Sequence, residues 1–296
     1  MKLFLVFLLF LVSAVECLPL NDKGPSELIF GGSKASRGQW PWHVFLDIAT
    51  TDGFTFCGGT LITKRHVLTA AHCLQIMRSG SVAILGIVDS YTPHNTTGAQ
   101  TIGIESLHIH PNFTFGGSFH DDIGIITVAE KFWFKEKLNI FQLKSEANIT
   151  EYVKTIKIKS KDDDLLSSTE AYVTGYGAYK IVDHNLDYSR YLRVATVPTI
   201  DFQWCKERWA NMTSSRVSLW KKQICAGATG RGIGPGDSGG PLQVHSDGWY
   251  QIGVSAFVVE NEQKMTDQAT YPGVFTRASK YCDFIAEKTG DEFQCL

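Results

Sequence analysis

Residues 234–241, Gly-Pro-Gly-Asp-Ser-Gly-Gly-Pro, constrain the fold most tightly because they disfavour regular secondary structure. Half of them are glycine, which loses more conformational freedom on ordering than any other residue, so a shaped loop is predicted rather than a helix or strand. In such a loop the backbone N–H groups of Gly236 and Ser238 can point at one position, where they would stabilise charge on a carbonyl oxygen. Ser238 is therefore the candidate nucleophile.

A glycine-rich surface turn with an ordinary serine would have the same local sequence, so the interpretation depends on a base and a carboxylate elsewhere. His72 lies in Leu-Thr-Ala-Ala-His-Cys, and Asp122 lies in Asp-Asp-Ile-Gly-Ile-Ile. The chain order His72, Asp122, Ser238 is one in which the serine–histidine–aspartate triad occurs. This pattern predicts acyl transfer, with Ser238 attacking a carbonyl, His72 moving its proton and Asp122 holding the histidine tautomer.

Further short segments share one order along the chain. They are Ile-Phe-Gly-Gly from Ile29, Pro-Trp-His-Val from Pro41, Cys-Gly-Gly-Thr-Leu-Ile from Cys57, Thr-Ala-Ala-His-Cys from Thr69, Asp-Ile from Asp122, Val-Thr-Gly-Tyr-Gly from Val173, Cys-Ala-Gly from Cys225, Gly-Asp-Ser-Gly-Gly-Pro from Gly236 and Pro-Gly-Val-Phe-Thr-Arg from Pro272. With these segments the chain resembles the secreted trypsin-like (chymotrypsin-fold) serine proteases. Independent short motifs rarely fall in one family's order by chance.

Strand-like runs separated by turn residues predict an all-β fold. The resemblance implies two six-stranded antiparallel β-barrels, an active site in the cleft between them and a C-terminal helix, here at about 281–289. We assign residues 29–296 to one trypsin-like serine peptidase domain, with barrels at about 29–150 and 151–281. The polar run 159–164, with three consecutive aspartates, is predicted to be a solvated loop between the barrels.

The N-terminal residues predict export. Lys2 and the apolar run 3–12 indicate a signal peptide over residues 1–17, too short to span a bilayer, and residues 18–28 indicate a propeptide. We therefore expect a secreted, extracellular protein. Asn-x-Thr sequons predict N-glycosylation, and they begin at Asn95, Asn112, Asn148 and Asn211.

The net charge of -2 and the pI near 6.5 offer no electrostatic basis for binding nucleic acid or an anionic membrane. We expect a monomer without a cofactor. No metal site is expected, since His108 and His110 alternate along a strand-like segment with no convergent third ligand. A serine esterase is disfavoured because the segment after Pro241 is strand-like rather than helical. The resemblance implies protein or peptide substrates, an activating protease and protein protease inhibitors as partners.

Seven cysteines in an exported chain predict disulfides. The resemblance implies the pairs Cys57–Cys73 and Cys205–Cys225, and Cys282 is predicted to pair with Cys295. If the signal peptide ends after Ala14 rather than Cys17, Cys17 stays in the propeptide and could tether one of the last two cysteines.

The resemblance also implies activation by cleavage before Ile29, after which the new α-amino group pairs with Asp237 and orders the oxyanion loop. Leu28 stands where the family usually has arginine or lysine. We therefore expect an activating enzyme that is not trypsin-like.

By the same resemblance the specificity pocket contains Gly232, Ser255, Phe257 and Gly273. Gly232 replaces the aspartate of trypsins, and Phe257 is expected to narrow the pocket, so a small or medium apolar residue is predicted before the cut bond. Arg231 could instead favour an acidic residue. The family's cysteine near the nucleophile is replaced by Gly234, which leaves a catalytically weak or inactive homologue acting as a binding protein as the alternative.

Overall fold

Short strands dominate the chain, as the alternation of apolar runs and turns predicts. The computed structural model describes residues 29–128, 146–166 and 170–296. The predicted signal peptide and propeptide lie outside these ranges. Among the described residues, no helix is long and apolar enough to cross a membrane.

Within these ranges the chain forms five α-helices and sixteen strands. The helices are α1 (Ala71–Ile76), α2 (Asp163–Leu166), α3 (Phe202–Met212), α4 (Glu262–Met265) and α5 (Cys282–Lys288). The strands are β1 (Ser33–Lys34), β2 (His43–Ala49), β3 (Phe54–Leu61), β4 (His66–Thr69), β5 (Val82–Leu85), β6 (Gln100–Ile109), β7 (Gly124–Val128), β8 (Ala171–Gly175), β9 (Ala178–Val182), β10 (Asn185–Tyr188), β11 (Arg193–Val197), β12 (Thr199–Ile200), β13 (Gln223–Ala226), β14 (Pro241–His245), β15 (Trp249–Phe257) and β16 (Gly273–Arg277).

The first barrel closes in the order β2-β3-β4-β7-β6-β5, and all its pairings are antiparallel. Alternate residues of a strand point to the same face, so a strand that lines a barrel buries every second side chain. In β2 the side chains of Val44, Leu46 and Ile48 are fully buried in this way. The predicted first barrel is therefore present.

The second sheet has the antiparallel order β1-β11-β8-β14-β15-β16-β13-β12. Pro198 separates β11 from β12, and since proline has no N–H to donate, the ladder is interrupted there. β11 pairs with β8, whereas β12 pairs with β13 at the far end of the sheet. One nearly continuous segment thus joins both sides of the sheet and curls it into a half-barrel. The predicted all-β class is confirmed, although the strand order contains eight strands because Pro198 divides one and β1 adds another.

The C-terminal helix α5 is present, but α3 was not predicted from the sequence. Asp201 caps α3 by accepting a hydrogen bond from Trp204 N at 2.8 Å. Only Cys205 and Trp209 of this helix are buried. Such a narrow apolar stripe, two residues one turn apart, explains why the helical periodicity was too weak to recognise.

The polar run 159–164 is solvated in large part, with Ser160, Lys161, Asp163 and Asp164 exposed, but one of its aspartates is not. Asp162 is buried, and its carboxylate accepts hydrogen bonds from Arg277 Nε at 3.1 Å and Nη2 at 2.5 Å. Asp163 begins α2 and also pairs with Arg277. Because the guanidinium arrives from the end of β16, a distant residue neutralises carboxylates that the local sequence leaves unpaired.

Each end of the described chain packs against the barrel formed by the other half. Ile29 is fully buried in the core of the second sheet, and β1 pairs with β11. The C-terminal residues Phe284 and Ile285 belong to the core of the first barrel. The N-terminal segment of the first half therefore packs with the second sheet, and the C-terminal segment of the second half packs with the first barrel.

Candidate active site

His72 and Asp122 form a doubly hydrogen-bonded pair in the first barrel. His72 follows β4 at the start of α1, and Asp122 precedes β7, which pairs with β4. His72 Nδ1 lies 2.7 Å from Asp122 Oδ2, and the backbone N–H of His72 donates to Oδ1 at 2.9 Å. A carboxylate only accepts, so Nδ1 carries the proton and Nε2 is left as a base.

Asp121, which precedes Asp122 in the chain, has different partners. Its Oδ1 lies 3.1 Å from Lys222 Nζ and 3.8 Å from His110 Nδ1. The backbone carbonyl of Asp122 accepts a hydrogen bond from Thr276 Oγ1 at 2.9 Å, which links Asp122 to β16 of the second sheet. The two adjacent aspartates thus serve different contacts, and Asp122 is the one bonded to His72.

The loop that carries Ser238 packs directly against the first barrel. Gly58 N donates to Ser238 O at 2.8 Å, and Gly58 follows Cys57, which is disulfide-bonded to Cys73. A Cβ atom at Gly239, which has φ +77°, would overlap Thr69 Oγ1. Only glycine permits this approach. The loop therefore lies beside the turn that carries His72, with Ser238 half-buried.

Two backbone donors of this loop have no acceptor among the described residues, namely Gly236 N–H and Ser238 N–H. Between them, Asp237 N–H does donate, to Gly234 O at 3.0 Å. Gly236 has φ +93°, and a Cβ atom there would lie 2.7 Å from the ring of Phe56. A side chain is thus excluded at a position whose N–H stays available, as an oxyanion site requires.

Asp237 is buried beneath the loop with two backbone donors. Gly177 N donates to Oδ1 and Gly234 N donates to Oδ2, each at 2.8 Å. Burial raises the pKa of Asp237 to about 7, although the two N–H groups act in the opposite direction. Among the described residues, no basic side chain pairs with this carboxylate.

The segment beginning at Ile29 lies against the same region of the second sheet. Gly232 N donates to Phe30 O at 3.2 Å. A Cβ atom at Gly31 would overlap Gly230 O, so close packing here requires glycine. Arg231 is exposed and its stem packs beside Gly31, so it contacts this N-terminal segment.

A cavity of about 160 Å³ lies beside Ser238. Its lining includes Ser255, Phe257, Ile233 and Val258, but neither of the predicted pocket residues Gly232 and Gly273. A β-bulge between Ser255 and Phe257 shifts the register of β15.

An aromatic row forms the next part of the cleft. The ring of Phe257 stacks on Phe119 at 5.4 Å and meets Trp209 edge-on at 5.1 Å. Phe119 also packs edge-on against His72 at 5.6 Å. The sequence analysis missed Phe119, although its place three residues before Asp122 was a usable signal. Gln268, a fully buried residue beside Gly232, was missed because no motif surrounds it.

The remaining predicted residues lie away from the cavity. Disulfides join Cys205 to Cys225 and Cys282 to Cys295, so the chain is disulfide-bonded. His108 Nε2 lies 3.0 Å from Ser106 Oγ, and His110 packs against aromatic rings of the C-terminal segment. The four sequon asparagines are exposed, at Asn95, Asn112, Asn148 and Asn211.

A geometric cluster of possible metal ligands occurs within the described ranges. It consists of Cys57, His72 and Cys73. The two sulfur atoms form a disulfide and are therefore not available as thiolate ligands.

His72, Asp122 and the Ser238 loop lie at the junction of two antiparallel β-sheet units. This arrangement is typical of serine proteases. The chain belongs to the trypsin family, because the family model described as Trypsin matches residues 29–285. It is thus a trypsin-like protein.

Three relatives illustrate the similarity. The chain is 32% identical over 265 residues to venom serine protease Bi-VSP of Bombus ignitus, covering 86% of this chain and 66% of the relative. It is 28% identical over 266 residues to coagulation factor XI of Bos taurus, covering 88% of this chain and 38% of the relative. It is 28% identical over 265 residues to serine protease 41 of Homo sapiens, covering 87% of this chain and 75% of the relative. The chain therefore spans less than two thirds of the first two relatives.

Proposed function

We propose that this chain is a secreted serine endopeptidase, made as a zymogen, that hydrolyses peptide bonds through an acyl-enzyme. One observation carries the proposal: the hydrogen-bonded His72–Asp122 pair lies beside a loop that presents Ser238 and two unused N–H donors. A base, a nucleophile and an oxyanion site are the groups that acyl transfer requires.

In the proposed mechanism Ser238 Oγ attacks the scissile carbonyl while its proton passes to His72 Nε2. Asp122 holds the Nδ1 proton and stabilises the imidazolium that forms. The N–H groups of Gly236 and Ser238 bind the oxyanion, and His72 then protonates the leaving amine. Water attacks the acyl-enzyme by the same route and regenerates Ser238. Each oxyanion donor contributes about 3 kcal/mol to transition-state stabilisation in comparable sites.

The proposed zymogen is activated by cleavage between Leu28 and Ile29. The burial of Ile29 in the second core and the absence of a basic partner for Asp237 among the described residues support a role for the new α-ammonium group. A cation at Asp237 would offset the desolvation of its carboxylate and stabilise the oxyanion loop. Leucine before the cut favours an activator that accepts apolar residues.

The proposed substrates carry a small or medium apolar residue before the cut bond. The small cavity beside Ser238 supports this preference, because Ile233, Ala256 and Phe257 line it, although Glu260 lines it as well. Partners would be protein or peptide substrates, an activating protease and protein protease inhibitors, with the enzyme acting as a monomer.

Export is proposed from the apolar N-terminal run, the disulfides and the four exposed sequons. The proposed organisation is a signal peptide over 1–17, a propeptide over 18–28 and a peptidase domain over 29–296. The second candidate function is that of a non-enzymatic binding protein. Leu28 and the replacement of a pocket cysteine by Gly234 favour it, because either change could leave the site unassembled.

The deciding experiment is labelling of the protein cleaved at Leu28–Ile29 with a fluorophosphonate, which reacts with activated serines. Ser238→Ala and His72→Ala serve as controls, and N-terminal sequencing verifies that Ile29 is the new terminus. Labelling of the parent alone is expected. A protein that begins at Ile29 but takes up no label would support the binding-protein function instead.

A further inference from the structure

A buried glutamine amide lies against Gly232 and Gly273, two residues of the predicted specificity pocket. Gln268, between α4 and β16, is fully buried. Its Nε2 donates to Ile233 O at 2.5 Å and to Met265 O at 3.2 Å. Since both partners are carbonyl oxygens, only the nitrogen can face them, and this fixes the orientation of the amide.

The amide oxygen occupies space that two glycines leave open. A Cβ atom at Gly232 would overlap both Oε1 and Cδ of Gln268. A Cβ atom at Gly273 would lie 2.9 Å from the same Oε1. The amide therefore fills the region into which side chains at positions 232 and 273 would project.

This placement accounts for the extent of the cavity beside Ser238. The lining of the cavity includes Ile233, Ser255, Phe257 and the exposed Glu260, and it includes neither of the two glycines nor Gln268. The Gln268 amide is held by Ile233, one of these lining residues, through its carbonyl. The amide thus fills space beside Gly232, Gly273 and the Ile233 carbonyl that the cavity does not reach.

We propose that Gln268 is the floor of the specificity pocket and determines the length and charge of the substrate residue before the cut bond. The inference rests on the proposed endopeptidase function. A held amide shortens the pocket, so short side chains fit and long ones do not. The floor is neutral, so a lysine or arginine that reaches it finds no counter-charge there; Glu260, the carboxylate in the cavity lining, is exposed.

The oxygen of the amide also disfavours acidic side chains. Oε1 has no hydrogen-bond partner among the described residues. A substrate carboxylate brought to the floor would meet this acceptor rather than a donor, at the cost of losing its hydration. The proposed class of substrate is therefore one with a short, uncharged side chain at the cut.

The test is Gln268→Ala in the cleaved protein, with Gln251→Ala as the matched control. Gln251 is equally buried in the second sheet, donates to Gly253 O at 2.9 Å, and likewise has an Oε1 without a partner among the described residues. Both variants lose a buried amide, but only Gln268 adjoins the two pocket glycines. Fluorophosphonate labelling and kcat/KM for peptides with Ala, Val, Leu, Phe or Arg before the cut are measured for each.

We expect Gln268→Ala to retain labelling and to raise the kcat/KM ratio of Leu to Ala by about tenfold or more, as added pocket depth does. Gln251→Ala should leave this ratio unchanged. An unaltered ratio in a labelled Gln268→Ala protein would overturn the inference and leave the endopeptidase function standing. Absence of label in the parent would overturn both.

A measurement on the parent protein covers the case in which Gln268→Ala does not fold. The same peptide series should show efficient cleavage after Ala or Val and at least about a tenfold lower kcat/KM after Phe and after Arg. Cleavage after Phe or Arg as efficient as after Val would contradict a closed, neutral floor.

Discussion

Asp237 combines complete burial with the lack of a basic side-chain partner among the described residues. Its two backbone donors hold the carboxylate in place but do not remove its charge. Burial therefore raises its pKa to about 7, and the uncleaved chain should bind a proton there at mildly acidic pH. The proposed activation replaces this proton with the ammonium group of Ile29.

This gives a pH-dependent prediction for the uncleaved protein. A carboxyl group with a pKa higher in the folded than in the unfolded state stabilises the fold below the unfolded pKa, near pH 4, and this contribution is lost as the pH rises towards 7. Asp237→Asn has no charge to desolvate. Its free energy of unfolding should therefore rise relative to the parent between pH 4 and 7, by up to about 4 kcal/mol.

The measurement is denaturant unfolding of both proteins at several pH values, each carrying Ser238→Ala to prevent self-cleavage. Histidines with lowered pKa values, such as His43 and His66, are common to both proteins and cancel in the difference. A difference that stays constant across this pH range would contradict the role of Asp237.

Several contacts hold the loop before β7 against the segment before β13. Gln223 Nε2 donates to Ser118 O at 2.7 Å, and Ser218 N donates to Ser118 Oγ at 2.7 Å. The Lys222–Asp121 ion pair lies at the end of this interface. Because Asp121 adjoins Asp122, the second sheet helps to position the aspartate supplied by the first barrel.

Lys222→Met should lower the free energy of unfolding by about 1–2 kcal/mol, less than for a fully buried pair because the lysine is partly exposed. It leaves the buried Asp121 without its closest cation. The double variant Lys222→Met/Asp121→Asn should recover part of the loss, and the exposed neighbour Lys221→Met should change little. Denaturant unfolding of the parent, Lys222→Met, Asp121→Asn and the double variant forms a double-mutant cycle, and strict additivity would refute the coupling.

The elements also differ in how well the sequence predicted them. Strands such as β2 are short apolar runs, and the all-β class followed from such runs and the turn residues between them. The helix α3 has only Cys205 and Trp209 buried, and Asp162 is neutralised by Arg277, more than a hundred residues away. Local pattern cannot reveal partners that only the folded chain brings together.

The candidate site shows the same limit. His72, Asp122 and Ser238 were identifiable because short motifs surround each of them. The predicted pocket depended on long-range packing, since Gln268 lies against Gly232 and Gly273 but belongs to a segment without a motif. The resemblance to the family placed Phe257 in the pocket. Its stacking on Phe119 could not be predicted, because it depends on contact between the two halves of the chain.

At the scale of the whole molecule, α5 fastens the end of the chain to the first barrel. Phe284 is buried in that core and its ring lies 4.9 Å from His110. Phe284→Ala should therefore cost about 3–4 kcal/mol of unfolding free energy, through lost burial and the cavity that remains. Phe54→Ala, at a side chain that is 76% exposed, should cost less than about 0.5 kcal/mol. Thermal or denaturant unfolding distinguishes them, and equal losses would show that α5 is not a structural anchor.

Because each terminal segment packs in the core of the other half, the two halves are expected to unfold together. Neither half can lose its structure alone without releasing a piece of the other's core, because Ile29 belongs to one core and Phe284 to the other. Two barrels joined only by a linker would melt as separate units, whereas interlocked barrels melt together. Calorimetry should accordingly record one heat-absorption peak, with equal calorimetric and van't Hoff enthalpies, for a chain that contains two barrels.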